Sequence, residues 1–197
     1  MSQHSFDDLR EALGDAFNAD RPALTIMLAR RILDMNPTHA STLTRLGHAL
    51  MELANYEDAE SAIALALQHC PEDRRHIVLA KMGHLYKLRG DYDTAAAWFQ
   101  KVIDTDPDDA TGYIFLGTVL ARQGKLDDAE TAHRTATKCL TGCIDEAHHN
   151  LGLILRGKGR LEESLQCFTT ALEIDPDFAA AKHAYDDVRA AIQWNAK

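Results

Sequence analysis

The chain has 197 residues, 30 acidic against 21 Lys and Arg, a formal net charge of -9 and 46% hydrophobic residues. That balance argues against nucleic acid as the main partner, because neutralising phosphates needs a basic surface. No apolar run approaches the roughly 18 residues of a membrane span, the start from Met1 to Asp8 lacks the basic and apolar regions of a secretory signal, and Cys70, Cys139, Cys143 and Cys167 are too scattered for a disulfide framework. The expected location is cytoplasmic.

Along the chain one pattern recurs. Leu9, Ala12, Leu13 and Ala16, then Thr25, Ala29 and Ile32, closed by Pro37, read as a degenerate first copy over about 6–39. The second copy, 40–73, is clear: Leu43, Leu46-Gly47 and Leu50 make the apolar stripe of one helix, Ala59, Ile63 and Ala66 that of the next, and Pro71 ends it. Leu79, Met82-Gly83, Tyr86, Ala95, Phe99, Val102 and Pro107 repeat it over 76–109. Tyr113, Leu116-Gly117, Leu120, Ala129, His133 and Ala136 repeat it over 110–143, with Thr141 in place of proline. His148, Leu151-Gly152, Leu155, Ser164, Phe168, Ala171 and Pro176 complete it over 145–178. A last helix over 179–194 carries Ala181, Tyr185, Val188 and Ile192 on one side and is expected to cap the stack, which otherwise ends on apolar surface.

Each glycine is followed twelve residues later by Ala59, Ala95, Ala129 or Ser164, so that two helices can approach closely. Gly90, Gly124 and Gly159 are placed to accept the left-handed backbone that ends a helix, with Ala54 at the equivalent position. The Asn-Pro and Asp-Pro turns at 36–38, 106–108 and 175–177 are expected to cap the helices that follow. The glycine spacings of 36, 34 and 35 residues place extra residues near Cys70 to Arg75 and Cys139 to Asp145, and the second stretch predicts an altered or lengthened turn. A period near 34 marks a tandem helical repeat.

This wording resembles the tetratricopeptide repeat family over nearly the whole chain. The resemblance implies an all-α fold: a single right-handed superhelical solenoid of antiparallel helix pairs with a C-terminal capping helix. It also implies a non-catalytic scaffold or adaptor whose first helices line a concave groove for a peptide. Chaperone-binding members clamp a terminal carboxylate with Lys and Asn side chains. At those places this chain has Thr44, His48, Lys81, Thr111 and Phe115, which argues against that role.

The side chains opposite the apolar stripes give the candidate peptide-binding groove: Arg45, His48, Ile77, Lys81, His84, Lys87, Ile114, Phe115, Arg122, His149, Asn150 and Arg156. Cations outnumber the anions Glu52 and Glu146 there, in an acidic chain, and Ile77, Ile114, Phe115 and Leu153 supply an apolar floor. The expected ligand is an acidic or carboxylate-bearing peptide with one or two apolar side chains. His48, His84 and His149 on the same face suggest an affinity that rises as they protonate. Two other readings stand beside this one: a module for homo-oligomeric assembly through the terminal repeats, and a regulatory subunit of an enzyme encoded elsewhere.

No phosphate-binding loop, nucleophile elbow or His-Glu-x-x-His helix occurs, so no catalytic residue, cofactor or metal is expected. His133, Cys139, Cys143 and His148 have the right ligand types at the wrong spacing for a structural zinc site. His133 instead reads as a replacement for an aromatic knob between helices, with the cysteines packed in a turn.

Overall fold

A computed structural model describes residues 5–195. Among them the chain forms eleven α-helices and one short 3-10 turn. The helices are α1 (Phe6–Asn18), α2 (Pro22–Met35), α3 (Ala40–Glu52), α4 (Tyr56–His69), α5 (Arg75–Leu88), α6 (Tyr92–Thr105), α7 (Ala110–Arg122), α8 (Leu126–Ala136), α9 (Ile144–Gly157), α10 (Leu161–Ile174) and α11 (Ala179–Asn195). The degenerate first copy is therefore a helix pair, and the all-α reading holds. The chain divides into two compact units, Met1–Trp98 and Phe99–Lys197, with the boundary inside α6.

In the first unit, α1 starts with a capping box: Ser5 Oγ accepts from the Asp8 amide at 3.1 Å and Asp8 Oδ2 from the Ser5 amide at 2.9 Å. Each helix packs on the next, and α3 also touches α5, which is how one copy of the repeat stacks on another. Leu13, Ile32, Leu43, Leu50, Ile63 and Leu85 lie in the common core. A side chain at Gly47 would run into Ile63, sixteen positions on, and would come within 3.3 Å of the Ala59 carbonyl. The glycine thus seats a large side chain as well as a small one. The 36-residue spacing is taken up by the 3-10 turn Glu72–Arg74.

Ala54 adopts φ +58°, the conformation that Gly90, Gly124 and Gly159 take at the equivalent turns. The left-handed region costs an L-residue about 1–2 kcal/mol, of which the greater unfolded-state freedom of glycine returns about 0.4–1 kcal/mol. Ala54→Gly is accordingly expected to stabilise the protein by about 0.5 kcal/mol. Urea unfolding checks this: the midpoint should rise with the slope unchanged.

In the second unit α7 packs on α8 and α9, and α10 lies between α9 and α11. The glycine arrangement recurs twice. A Cβ at Gly117 would lie 2.7 Å from the His133 ring, and one at Gly152 would lie 2.6 Å from the Phe168 ring. His133 is 2% exposed and occupies the place that Phe168 holds in the next copy. Burial drives its pKa down to about 4, so the ring is neutral. Ser164, the small residue of the last copy, donates to the Gly152 carbonyl at 2.8 Å. Ala181, Ala184 and Val188 of α11 are buried, and Tyr185 and Ile192 pack beside them.

The turn without proline is altered. Helix α8 has 11 residues, and the following segment folds back so that Leu140 N and Ala110 N bond to Asp108 O and Thr141 O at 2.9 and 3.0 Å. Gly142 adopts φ +89°, and a Cβ there would lie 3.0 Å from the Ala110 amide nitrogen.

The expected caps differ from those found. Asp106 and Asp175 accept from the amides of Asp108 and Asp177, which tightens the turns themselves. Helix α7 is capped instead by Asp109, whose carboxylate accepts from Thr111 N at 2.7 Å, and α3 is preceded by His39, whose Nδ1 lies 2.8 Å from Thr42 Oγ1.

Candidate functional site

The first unit contains an open groove of about 610 Å³. Ser41, Thr44 and Arg45 of α3 form one wall, Ile77, Val78 and Lys81 of α5 the other, and Phe17, His39, the turn at 69–71 and Arg74 close it. Side chains four apart on a helix share a face, which sets 41 beside 45 and 77 beside 81. Among the described residues no carboxylate lines the groove, although the chain has 30 acidic residues. Its cations are Arg45, Arg74 and Lys81.

Arg45 is held along the wall. It donates to Ser41 Oγ at 3.2 Å, and its guanidinium lies 5.8 Å from the centre of the Phe17 ring. Lys81 Nζ lies 3.2 Å from His48 Nδ1, and His48 Nε2 lies 3.2 Å from Glu52 Oε1. The His48 ring packs on Phe17 at 5.2 Å. Burial lowers the Lys81 ammonium below its ordinary value, with Glu52 opposing. Ile77, 44% exposed, presents its apolar side chain to the groove.

Of the residues expected on this face, Arg45, Ile77 and Lys81 line the groove, whereas His48, His84 and Lys87 lie outside its lining. His48 sits behind Lys81 as its hydrogen-bond partner. Burial, then the nearby Lys87, Lys81 and His48, take His84 down to about 4. His48 is lowered by burial and Lys81 against the pull of Glu52 and Asp20. His149 is lowered chiefly by burial. All three histidines are therefore neutral near pH 7, and protonation belongs to more acidic conditions than exposed imidazoles imply.

In the second unit the expected groove residues have other surroundings. Ile114, expected on an apolar floor, is 2% exposed and buried with Ala110, Ala136 and Ala147, because α8 and α9 both cover that side of α7. Phe115 packs its ring 5.2 Å from Phe99. Arg122 is exposed at the end of α7. His149 lies 4.9 Å from the Phe178 ring and 5.8 Å from that of Phe168, with Asn150 hydrogen-bonded to it. Arg156 pairs with Asp187 of α11 at 3.0 Å. The approach of the final helix engages Arg156, which sequence periodicity within α9 alone does not register.

Phe17, His39, His69, Cys70 and Arg74 also line the groove, although the helix faces in the sequence do not point to them. The 36-residue spacing was the available signal for Arg74 and Cys70, since extra residues between helices must go somewhere near the groove end. Nothing in the weak first copy marked Phe17.

Cys139 and Cys143 are both raised above the ordinary thiol value, first by burial and then by neighbouring acidic groups, and so remain thiols. Among the described residues, no three His, Cys, Asp or Glu side chains converge as metal ligands do. Among them too, no helix is long and apolar enough to cross a membrane.

Tetratricopeptide repeat patterns match residues 40–73 and 145–178, and a TPR repeat pattern matches residues 83–131. The chain is 31% identical to tetratricopeptide repeat protein 7A of Homo sapiens over 100 residues, which is 51% of this chain and 12% of that relative's length. Among solved structures it resembles MamA, with a TM-score of 0.65 at 20% identity, over 88% of this chain and 95% of that one. It also resembles YrrB, a TPR protein with an unusual peptide-binding site, with a TM-score of 0.61 at 18% identity over 92% of each chain. Helix pairs with a glycine seated against the second helix, repeated at this period and matched by these patterns, leave one assignment: the chain belongs to the tetratricopeptide repeat family.

Proposed function

We propose that this protein-interaction scaffold binds an acidic peptide segment, bearing at least one apolar side chain, in the groove of its first unit. The lining carries the proposal: in a chain of net charge -9, three cations and no anion line this groove among the described residues. Arg45, Arg74 and Lys81 attract carboxylates, and Ile77 and Val78 offer an apolar seat. Phe17 braces Arg45 so that little side-chain freedom is lost on binding. The peptide-binding site of the similarly folded YrrB lends support by likeness of fold.

The test is a titration of fluorescent decapeptides, acidic with one Leu against the same peptide with Lys for Glu. The acidic peptide should bind, and Lys81→Glu combined with Arg74→Glu should weaken it by at least about tenfold, equivalent to about 1.4 kcal/mol. Binding should also weaken with added salt. Equal affinity for the acidic and basic peptides would remove the proposal.

One observation favours self-assembly as a second reading: Trp194, near the end of α11, is 77% exposed. A light-scattering mass that stays monomeric at high micromolar concentration rules that reading out.

A further inference from the structure

Lys81, His48 and Glu52 form a relay that peptide binding does not require. Lys81 projects from α5 into the groove, and its Nζ lies 3.2 Å from His48 Nδ1. Glu52, one turn after His48 on α3, lies 3.2 Å from His48 Nε2. With Nε2–H donated to Glu52, the His48 Nδ1 lone pair faces the lysine nitrogen. A nucleophile, a base within hydrogen-bond reach and a third group that orients the base make the arrangement of an activated nucleophile.

We propose that Lys81 is a site of covalent acylation by small acyl phosphates, with His48 as proton acceptor and Glu52 as the residue that positions it. Acyl phosphates fit because Arg45 and Arg74 line the same groove and attract a phosphoryl group, with no carboxylate among the lining residues to repel it. The neutral amine of Lys81 attacks the acyl carbon. A C–N bond forms, and the bond from that carbon to the phosphate oxygen breaks. Phosphate departs with the electron pair, and the proton lost by nitrogen passes to His48 Nδ1 and then to solvent. Nothing is oxidised or reduced.

Burial favours the neutral amine, and burial likewise keeps His48 an acceptor. The charged and titratable groups around the pair are Arg45 and Glu52 on α3, Asp20 in the turn before α2, and His84 and Lys87 on α5. Lys158 provides the contrast. It is hydrogen-bonded to Asp127 and Glu130, and these partners raise its pKa and hold it as an unreactive ammonium.

The experiment treats the full chain with acetyl phosphate at pH 7.5 and follows acetylation at each lysine by mass spectrometry. Lys81 should react about tenfold faster than the median lysine, because burial leaves more of it as the neutral amine, and Lys158 should be among the slowest. His48→Gln should lower the Lys81 rate alone, by about tenfold or more. Glu52→Gln, at a residue further from the core, should give a smaller loss and serves if His48→Gln melts differently from the parent. A Lys81 rate at or below the median, or one unchanged in both variants, overturns the proposal. Acylation removes one groove cation, but the reaction does not depend on the groove holding a peptide. Slow acylation with intact peptide binding would sink this inference alone, and fast acylation without peptide binding would sink the other alone.

Discussion

Glu130→Gln is expected to destabilise the protein by about 2 kcal/mol at pH 7, lowering the melting temperature of the whole chain by roughly 4–8 °C. Glu130 is 8% exposed and lies on α8. Its Oε1 accepts from Arg134 Nε at 3.0 Å and from Arg160 Nη1 at 2.6 Å, and its Oε2 accepts from Lys158. Burial alone would push the carboxyl upward, but the hydrogen bonds from Lys158, Arg134 and Arg160 outweigh it and hold the pKa at about 2. An amide in its place leaves three cations facing one another. The loss stays moderate because Asp127 still holds Lys158 and Glu163 still holds Arg134 and Arg160. Solvent around these partly exposed partners screens the remainder.

The sign of the pH dependence follows. A carboxyl whose folded pKa lies below its ordinary value contributes stability that is complete above about pH 4.5 and is lost as pH falls towards about 2. The parent should lose stability through that window, and Glu130→Gln should lose less. His133 acts in a different window. Its folded pKa of about 4 lies below the ordinary 6.5, so the unfolded chain takes up the proton first and stability falls between about pH 6.5 and 4 in both proteins. Urea unfolding at pH 7, 5 and 3 separates the two. Equal losses for parent and variant between pH 5 and pH 3 would show that the network does not stabilise the fold.

Gly152→Ala should cost about 1–3 kcal/mol, and a compensating change in its neighbour should recover much of that loss. The added methyl would meet the Phe168 ring at 2.6, 2.9 and 2.9 Å, and that ring is fully buried against Ala184 and Val188, so it has nowhere to move. Phe168→Leu alone should cost roughly 1–2 kcal/mol through the space it leaves. Together the two substitutions should cost at least about 1 kcal/mol less than their sum, because the methyl then occupies part of that space. A double-mutant cycle by urea unfolding measures this directly. Strict additivity would mean that the glycine is there for some other reason than close approach.

Local, periodic features are legible in the sequence. Leu46-Gly47 with Ala59, and Leu151-Gly152 with Ser164, place two helices and the turn between them, because helix formation and close packing of neighbours depend on residues within one repeat. The turn glycines, the altered turn after α8 and the apolar side of α11 were readable for the same reason. Which face of a helix is exposed is not set within one repeat. Ile114 reads as outward-facing from the stripe of its own helix, yet it is buried because two later helices cover that side of α7. Arg156 reads as a groove cation, yet it pairs with Asp187, a residue 31 positions away.

From the sequence alone come the all-α repeat architecture, its register and the acidic charge of the chain, since each rests on residue spacing or composition. Tertiary structure decided which side chains share one groove, that this groove holds cations without a carboxylate, and that His48 stands between Lys81 and Glu52. Those facts depend on where helices separated by a turn of uneven length come to rest against each other. Spacing along a single helix carries no record of that.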